Sequence, residues 1–135
     1  MNTLTLYTDG AARGNPGPAG AGWVIKNDQG SVLAESCHYL GELTNNQAEY
    51  RALLLALEEA SKFGAETLQL FADSELMVKQ IKGEYKVKNE GLRSLFRQAV
   101  LTLSKFRGYT IHYIPREKNS EADALANKAI DEHAA

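Results

Sequence analysis

Asp9 follows a short apolar run, Glu49 falls inside a helical stretch, Asp73 follows a second apolar run, and Asp123 stands near the start of the last helical stretch. Three of these acids have ordinary readings when taken singly. Asp9-Gly10 is a turn dipeptide, Asp73 is suited to cap a helix beginning at Ser74, and Ser120 with Asp123 fits the Ser-x-x-Asp spacing that satisfies free amides at a helix start. Glu49 resists such an explanation. At about 100° per residue it shares one side of its helix with Leu53, Ala56 and Ala60, and a carboxylate on a buried side needs a lysine, an arginine or a metal ion beside it. Brought together, the four acids form a site of like charge that stays ionised only when cations fill it, and hard divalent cations prefer oxygen ligands. The chemistry implied is metal-assisted cleavage of a phosphodiester, with an aspartate bridging two cations, one activating water and one stabilising the leaving oxygen.

Convergence of these positions depends on the elements that carry them. Leu4 to Thr8 alternates at period two, so a strand is expected to end at Asp9, ahead of a Gly-, Ala- and Pro-rich stretch from Gly10 to Gly22. Trp23 to Lys26 and Ser31 to Ala34, joined by the turn Asn27-Asp-Gln-Gly30, predict a hairpin whose second strand extends toward Leu40. Thr44 and Gln47 have capping-box spacing before an apolar run from Ala48 to Ala60, and Gly64 suits the end of that helix. Thr67 to Ala72 predicts a fourth strand and Ser74 to Lys82 a short helix. Asn89 to Ser104 predicts a helix with Leu92, Leu95, Phe96, Ala99, Val100 and Leu103 on one face. Tyr109 to Ile114 predicts a fifth strand, and a final helix starts near Asn119-Ser120. The first three strands need only hairpins, whereas strands alternating with helices demand parallel crossovers, so an α/β fold with a mixed sheet is expected. Ligands gather outside the carboxyl ends of parallel strands, where Asp9 and Asp73 both fall.

The 135 residues suit one domain, and 44% hydrophobic against 24% charged residues is enough to bury a core. A formal charge of −2 excludes a uniformly basic nucleic-acid binder, so any such contact must come from a local basic surface and bound metal. Lone Cys37 makes no internal disulfide. The chain shows no charged-then-apolar leader and no run of membrane-span length, so a cytoplasmic protein is expected. His38 and His112 fall in strands and His133 in what reads as a frayed tail, without the paired spacing of zinc sites. Gly14, Gly17, Gly20 and Gly22 lack the Gly-Lys-Ser/Thr that completes a nucleotide loop and read instead as a tight bend approached by nucleic acid.

Tyr7-Thr-Asp-Gly10 with Gly14-Asn-Pro-Gly-Pro18, Thr44-Asn-Asn-Gln-Ala-Glu-Tyr50, Asp73-Ser74 and Glu121-Ala-Asp-Ala-Leu-Ala126 occur in an order that resembles the type 1 ribonuclease H family along essentially the whole chain. The resemblance implies a single ribonuclease H domain over residues 1–135, with a five-stranded mixed sheet in the order 3-2-1-4-5, its first three strands antiparallel, and helices on both faces. It also implies endonucleolytic hydrolysis of the RNA strand of an RNA/DNA hybrid with two Mg²⁺ or Mn²⁺ ions. Asp9, Glu49, Asp73 and Asp123 match the family's catalytic, metal-holding acids. Gly10, Asn15, Asn45, Asn46 and Gln47 match its substrate-binding residues, the amides reading 2′-hydroxyls that both donate and accept hydrogen bonds. Thr44 and Asn89 match its pocket for a DNA-strand phosphate, and a monomer is expected.

Two departures from the family pattern stand out. The loop before Asp123 reads Pro115-Arg-Glu-Lys-Asn119, with no histidine, leaving Arg116 as an auxiliary candidate. Ile81 to Lys88 crosses directly between helices where some members carry a basic protrusion, although Lys79, Lys82, Lys86 and Lys88 still form a basic run. A hybrid-binding protein without chemistry and a different nuclease on the same fold are the rival expectations; fold alone does not choose a substrate.

Overall fold

In the computed structural model, which describes residues 2–134, the alternating run at the N-terminus becomes the central strand β1 (Thr3–Ala12). It is followed by β2 (Gly17–Lys26), β3 (Val32–Leu43), α1 (Asn45–Lys62), β4 (Thr67–Ala72), α2 (Glu75–Ile81), α3 (Glu90–Leu103), β5 (Gly108–Tyr113) and α4 (Ser120–Ala134), with a 3₁₀ turn over Arg116–Lys118. The five strands form one sheet in the order β3-β2-β1-β4-β5. β1 pairs antiparallel with β2 and parallel with β4, and β4 pairs parallel with β5. The expected strand order and mixed sheet are therefore observed.

β1 does not end at Asp9. It continues to Ala12, and Asp9 faces Gly22 across the ladder with β2. The parallel ladder with β4, however, stops at the pair Thr8 and Ala72. Asp9 and Asp73 are the residues immediately beyond it, so they share the carboxyl end of the parallel pair even though one lies inside a longer strand.

The long β1–β2 hairpin also corrects the expectation for its glycines. Gly20 and Gly22 lie within β2, and a Cβ at either would come 2.3 Å from a carbonyl oxygen of α4, that of Ala126 or Ala122. Missing side chains let α4 settle on the strand backbone, with its Ala122, Ala126, Ala129 and Ile130 buried there. Helix packing, rather than an approaching ligand, accounts for these two positions.

Leu4, Leu6, Leu68, Leu70, Ile25 and Ile111 project from the opposite side of the sheet and meet Leu53, Ala56, Leu57 and Ala60 of α1 and Leu92, Ala99 and Leu103 of α3. Val100, expected on the buried face of α3, is 41% exposed, because that helix touches the layer on one side only. His133 lies within α4 and stacks on Tyr39 with ring centroids 3.6 Å apart, so this end of the helix is docked rather than frayed. α1 and α3 thus flank one face and α4 the other. No helix among the described residues is long and apolar enough to cross a membrane.

Candidate active site

Asp9, Glu49 and Asp73 come together at the end of the β1–β4 ladder, each offering a carboxylate oxygen within 4.8 Å of the others. Asp9 and Glu49 are buried, at 3% and 4% exposure, and Asp73 is half-buried. Each is delivered by local structure. Glu49 lies in the second turn of α1, whose start is set by a full capping box: Thr44 Oγ1 accepts from the Gln47 N–H at 3.2 Å and Gln47 Oε1 accepts from the Thr44 N–H at 2.9 Å. Glu49 Oε1 then accepts from the Gly10 N–H at 2.9 Å. Gly10 permits this closeness, since a Cβ there would fall 2.2 Å from the backbone of Ala48.

Asp73 is not the cap of α2. Ser74 takes that part, its Oγ accepting from the Met77 N–H at 3.2 Å, which leaves the Asp73 carboxylate free of helix duties. Asp73 Oδ2 is buried and has no hydrogen-bond partner. Asp123 stands in the first turn of α4, where its N–H donates to the carbonyl of Asn119 at 3.0 Å. It contacts Asp9 but lies outside the tight three-acid group.

Like charges at this spacing, in a buried site, strongly disfavour full ionisation. Burial, then the charges of Glu49 and Asp73, push the Asp9 carboxyl up to about 10. Glu49 is likewise raised by burial and by Asp73, opposed by the Gly10 N–H and by the positive charge of Arg116. Among the described residues no lysine or arginine forms an ion pair with any of the three acids. The donor set is oxygen only, negatively charged and short of partners, which fits a hard divalent cation.

The amides expected at the substrate gather beside this group. Asn15 Oδ1 accepts from the Asn45 N–H at 3.0 Å, and Asn45 Oδ1 accepts from the Ala12 N–H at 3.3 Å, so the β1–β2 loop and the start of α1 brace each other. Their oxygens are engaged, and both residues are exposed. Asn46 is exposed beside them. Gln47 Nε2 and Asn89 Oδ1 both lie close to Gly91, joining the starts of α1 and α3; Asn89 holds the cap position of α3 without a side-chain cap bond. Thr44 and Asn89 therefore belong to one neighbourhood. Gly10 differs from the other expected substrate residues, because its N–H is committed to Glu49.

The sequence marks Asn119 only as a helix start, yet it is 2% exposed and its Nδ2 donates to the Thr8 carbonyl at 2.8 Å. It pins the beginning of α4 to β1 one residue before Asp9. A polar residue before a helix carried no sign of this, since the partner is 111 positions away.

A family profile described as reverse transcriptase-like matches residues 7–129. Ribonuclease HI of Halobacterium salinarum is 45% identical over 126 residues, covering 93% of this chain and 63% of that protein. The crystal structure of LC11-RNase H1 in complex with an RNA/DNA hybrid superposes with a TM-score of 0.93 at 44% identity, covering 98% of this chain and 99% of that one. The chain belongs to the type 1 ribonuclease H family. A bifunctional protein of Mycobacterium tuberculosis is 45% identical over 129 residues, 95% of this chain and 35% of that protein, so the chain spans less than two-thirds of the length of both these curated relatives. The family depends on divalent metal, and the carboxylate group described above is the feature of this member that suits it.

Proposed function

We propose that this chain is an endonuclease that hydrolyses the RNA strand of RNA/DNA hybrids, with Mg²⁺ or Mn²⁺ held by Asp9, Glu49, Asp73 and Asp123. The observation that carries this is the three-acid group with carboxylate oxygens within 4.8 Å and no basic side chain paired to it. Two bound divalent ions would supply an activated water and stabilise the leaving oxygen. Asp9 interacts with Glu49, Asp73 and Asp123, which suits it to take part in holding both ions. Glu49 and Asp73 would hold the ion nearer the water, and Asp123 the second. The Asp73 Oδ2 atom without a partner is an open ligand position.

Substrate selection rests on the exposed amides of Asn15, Asn45 and Asn46 and on the half-buried Gln47, whose NH₂ groups can donate to 2′-hydroxyls. Thr44 and Asn89 would receive a phosphate of the DNA strand. Arg116, whose charge reaches Glu49, would draw a backbone phosphate toward the acids and partly stand in for a loop histidine. The hybrid-bound relative supports this class of substrate. The chain acts as a single ribonuclease H domain over 1–135, as a monomer, in the cytoplasm.

End-labelled RNA/DNA hybrid, double-stranded RNA and double-stranded DNA, each incubated with Mg²⁺ or Mn²⁺, test the proposal beside Asp9→Asn and Asp73→Asn. Internal cuts confined to the hybrid's RNA strand, and lost in both variants, are expected. Retarded hybrid without cuts would instead indicate a binding protein, and cleavage unaffected by either substitution would remove the assignment.

A further inference from the structure

Asp123, Asn127 and Asp131 follow one another at four-residue spacing, which sets them in one stripe along α4. Arg13, in the loop after β1, reaches across to this stripe. Its Nη1 pairs with Asp131 Oδ1 at 2.7 Å and its Nη2 donates to Asn127 Oδ1 at 3.2 Å. Asn127 in turn donates through Nδ2 to the Asp123 carbonyl at 3.0 Å and, with a longer contact of 3.4 Å, to Asp123 Oδ1.

An asparagine amide turned by 180° occupies nearly the same space but exchanges donor for acceptor. Arg13 carries only donors, so its contact holds the Asn127 oxygen outward and aims the NH₂ at Asp123. With the amide reversed, an oxygen would meet the carboxylate and repel it. A carboxylate held by a donor behind it loses rotational freedom before any ion arrives, and this is how outer partners orient metal ligands. Two residues after Arg13, Asn15 braces the start of α1. Arg13 therefore ties the loop that carries a substrate amide to the helix that carries the fourth acid.

We propose that Arg13 and Asn127 are positioning residues that act in series, Arg13 fixing the amide of Asn127 and Asn127 fixing the carboxylate of Asp123 for divalent-ion binding. This rests on the metal-site assignment proposed above and extends it to two residues that touch neither ion nor scissile phosphate.

Mn²⁺ titrations of the full chain test it, read first without nucleic acid, as the metal-dependent rise in Tm, and then as hybrid cleavage. Asn127→Ala and Arg13→Ala are each expected to raise the Mn²⁺ concentration at half-effect by about tenfold in both readouts. Combining them should add nothing further, because one acts through the other. Arg13→Lys keeps the charge facing Asp131 but loses the fork that spans two partners, so it should resemble Arg13→Ala in metal dependence while retaining more of the Tm. Lower Tm with an unchanged Mn²⁺ midpoint in Asn127→Ala would show a merely structural contact and overturn the proposal, as would two midpoint shifts that multiply in the double variant. If wild-type protein binds Mn²⁺ with the expected shifts in its variants yet cuts no hybrid, the proposed activity falls while the positioning series stands.

Discussion

Glu49 Oε1 and the Gly10 N–H are 2.9 Å apart, so a single backbone amide joins the acid of α1 to the residue following Asp9 on β1. The contact exists because α1 approaches β1 at a point where the strand has no side chain, and it engages one oxygen of a nearly fully buried carboxylate.

Gly10→Ala should therefore be severe. Its methyl would have to occupy space 2.2 Å from the backbone of Ala48, which forces α1 away and carries Glu49 with it. A loss of about 2–4 kcal/mol in stability is expected from backbone overpacking. Cleavage should drop by about a hundredfold from misplacement of the acid. Denaturant unfolding and hybrid cleavage measured on the same preparation check both; wild-type activity in a stable variant would show that the approach of α1 is not needed.

Stability of the metal-free protein should fall as pH rises. Asp9 titrates near 3.8 when unfolded and is pushed up to about 10 when folded, first by burial and then by Glu49 and Asp73. Between those values the folded chain keeps a proton that the unfolded chain has lost, so each rise in pH favours unfolding. The stabilisation is fully present below the unfolded value and is gone once pH passes the folded one. Glu49 shifts in the same direction. In excess chelator, Tm should decline from about pH 5 to about pH 9 and do so less steeply in Asp9→Asn, while added Mn²⁺ should protect most at high pH, where its ligands have released protons. A metal-free Tm that climbs across this range would contradict the buried like-charge site.

Tyr50→Phe separates fold stability from chemistry. The Tyr50 hydroxyl donates to Gln80 Oε1 at 2.6 Å in a buried contact that ties α1 to α2, and burial pushes the phenol well above its ordinary range, so it stays neutral. Removing the hydroxyl leaves the Gln80 oxygen unsatisfied, at a cost of about 1–3 kcal/mol. The ring still fills its space, so the helices should stay in register and kcat should change by less than about threefold. Thermal unfolding and steady-state kinetics give the two readings; a kcat loss much beyond that would mean the pair sets the acids.

Lys86 and Lys88 lie exposed in the connection that leads to Asn89 and form no ion pair among the described residues. If they face hybrid phosphates, Lys86→Ala and Lys88→Ala should each lower the salt dependence of 1/KM by about one in a log–log plot, leaving kcat unchanged. KM measured across a salt series decides. Parallel lines for wild type and variants would assign both lysines to a solvated surface.

The five strands, the mixed sheet and the inward-facing Glu49 were legible in the chain because each rests on a local signal, whereas the strand order 3-2-1-4-5 was implied only by the family resemblance. Period-two alternation marked β1 and β4, the Thr44–Gln47 spacing fixed the start of α1, and helical periodicity turned Glu49 inward. Strands alternating with helices called for parallel crossovers, and the observed parallel pairing of β1 with β4 places the positions beyond Thr8 and Ala72 side by side.

What escaped the sequence involved surfaces rather than periods. Gly20 and Gly22 looked like loop residues, since nothing local records that α4 would lie against them. Asp73 looked like a cap until Ser74 supplied that bond. Asn119 reaches Thr8, and Arg13 reaches Asn127 and Asp131, across more than a hundred residues. Periodicity is a property of neighbouring residues and can be read along the chain, whereas a hydrogen bond between distant side chains exists only after the sheet and helices have closed on one another, so only the tertiary structure could decide which polar groups hold the acids in place.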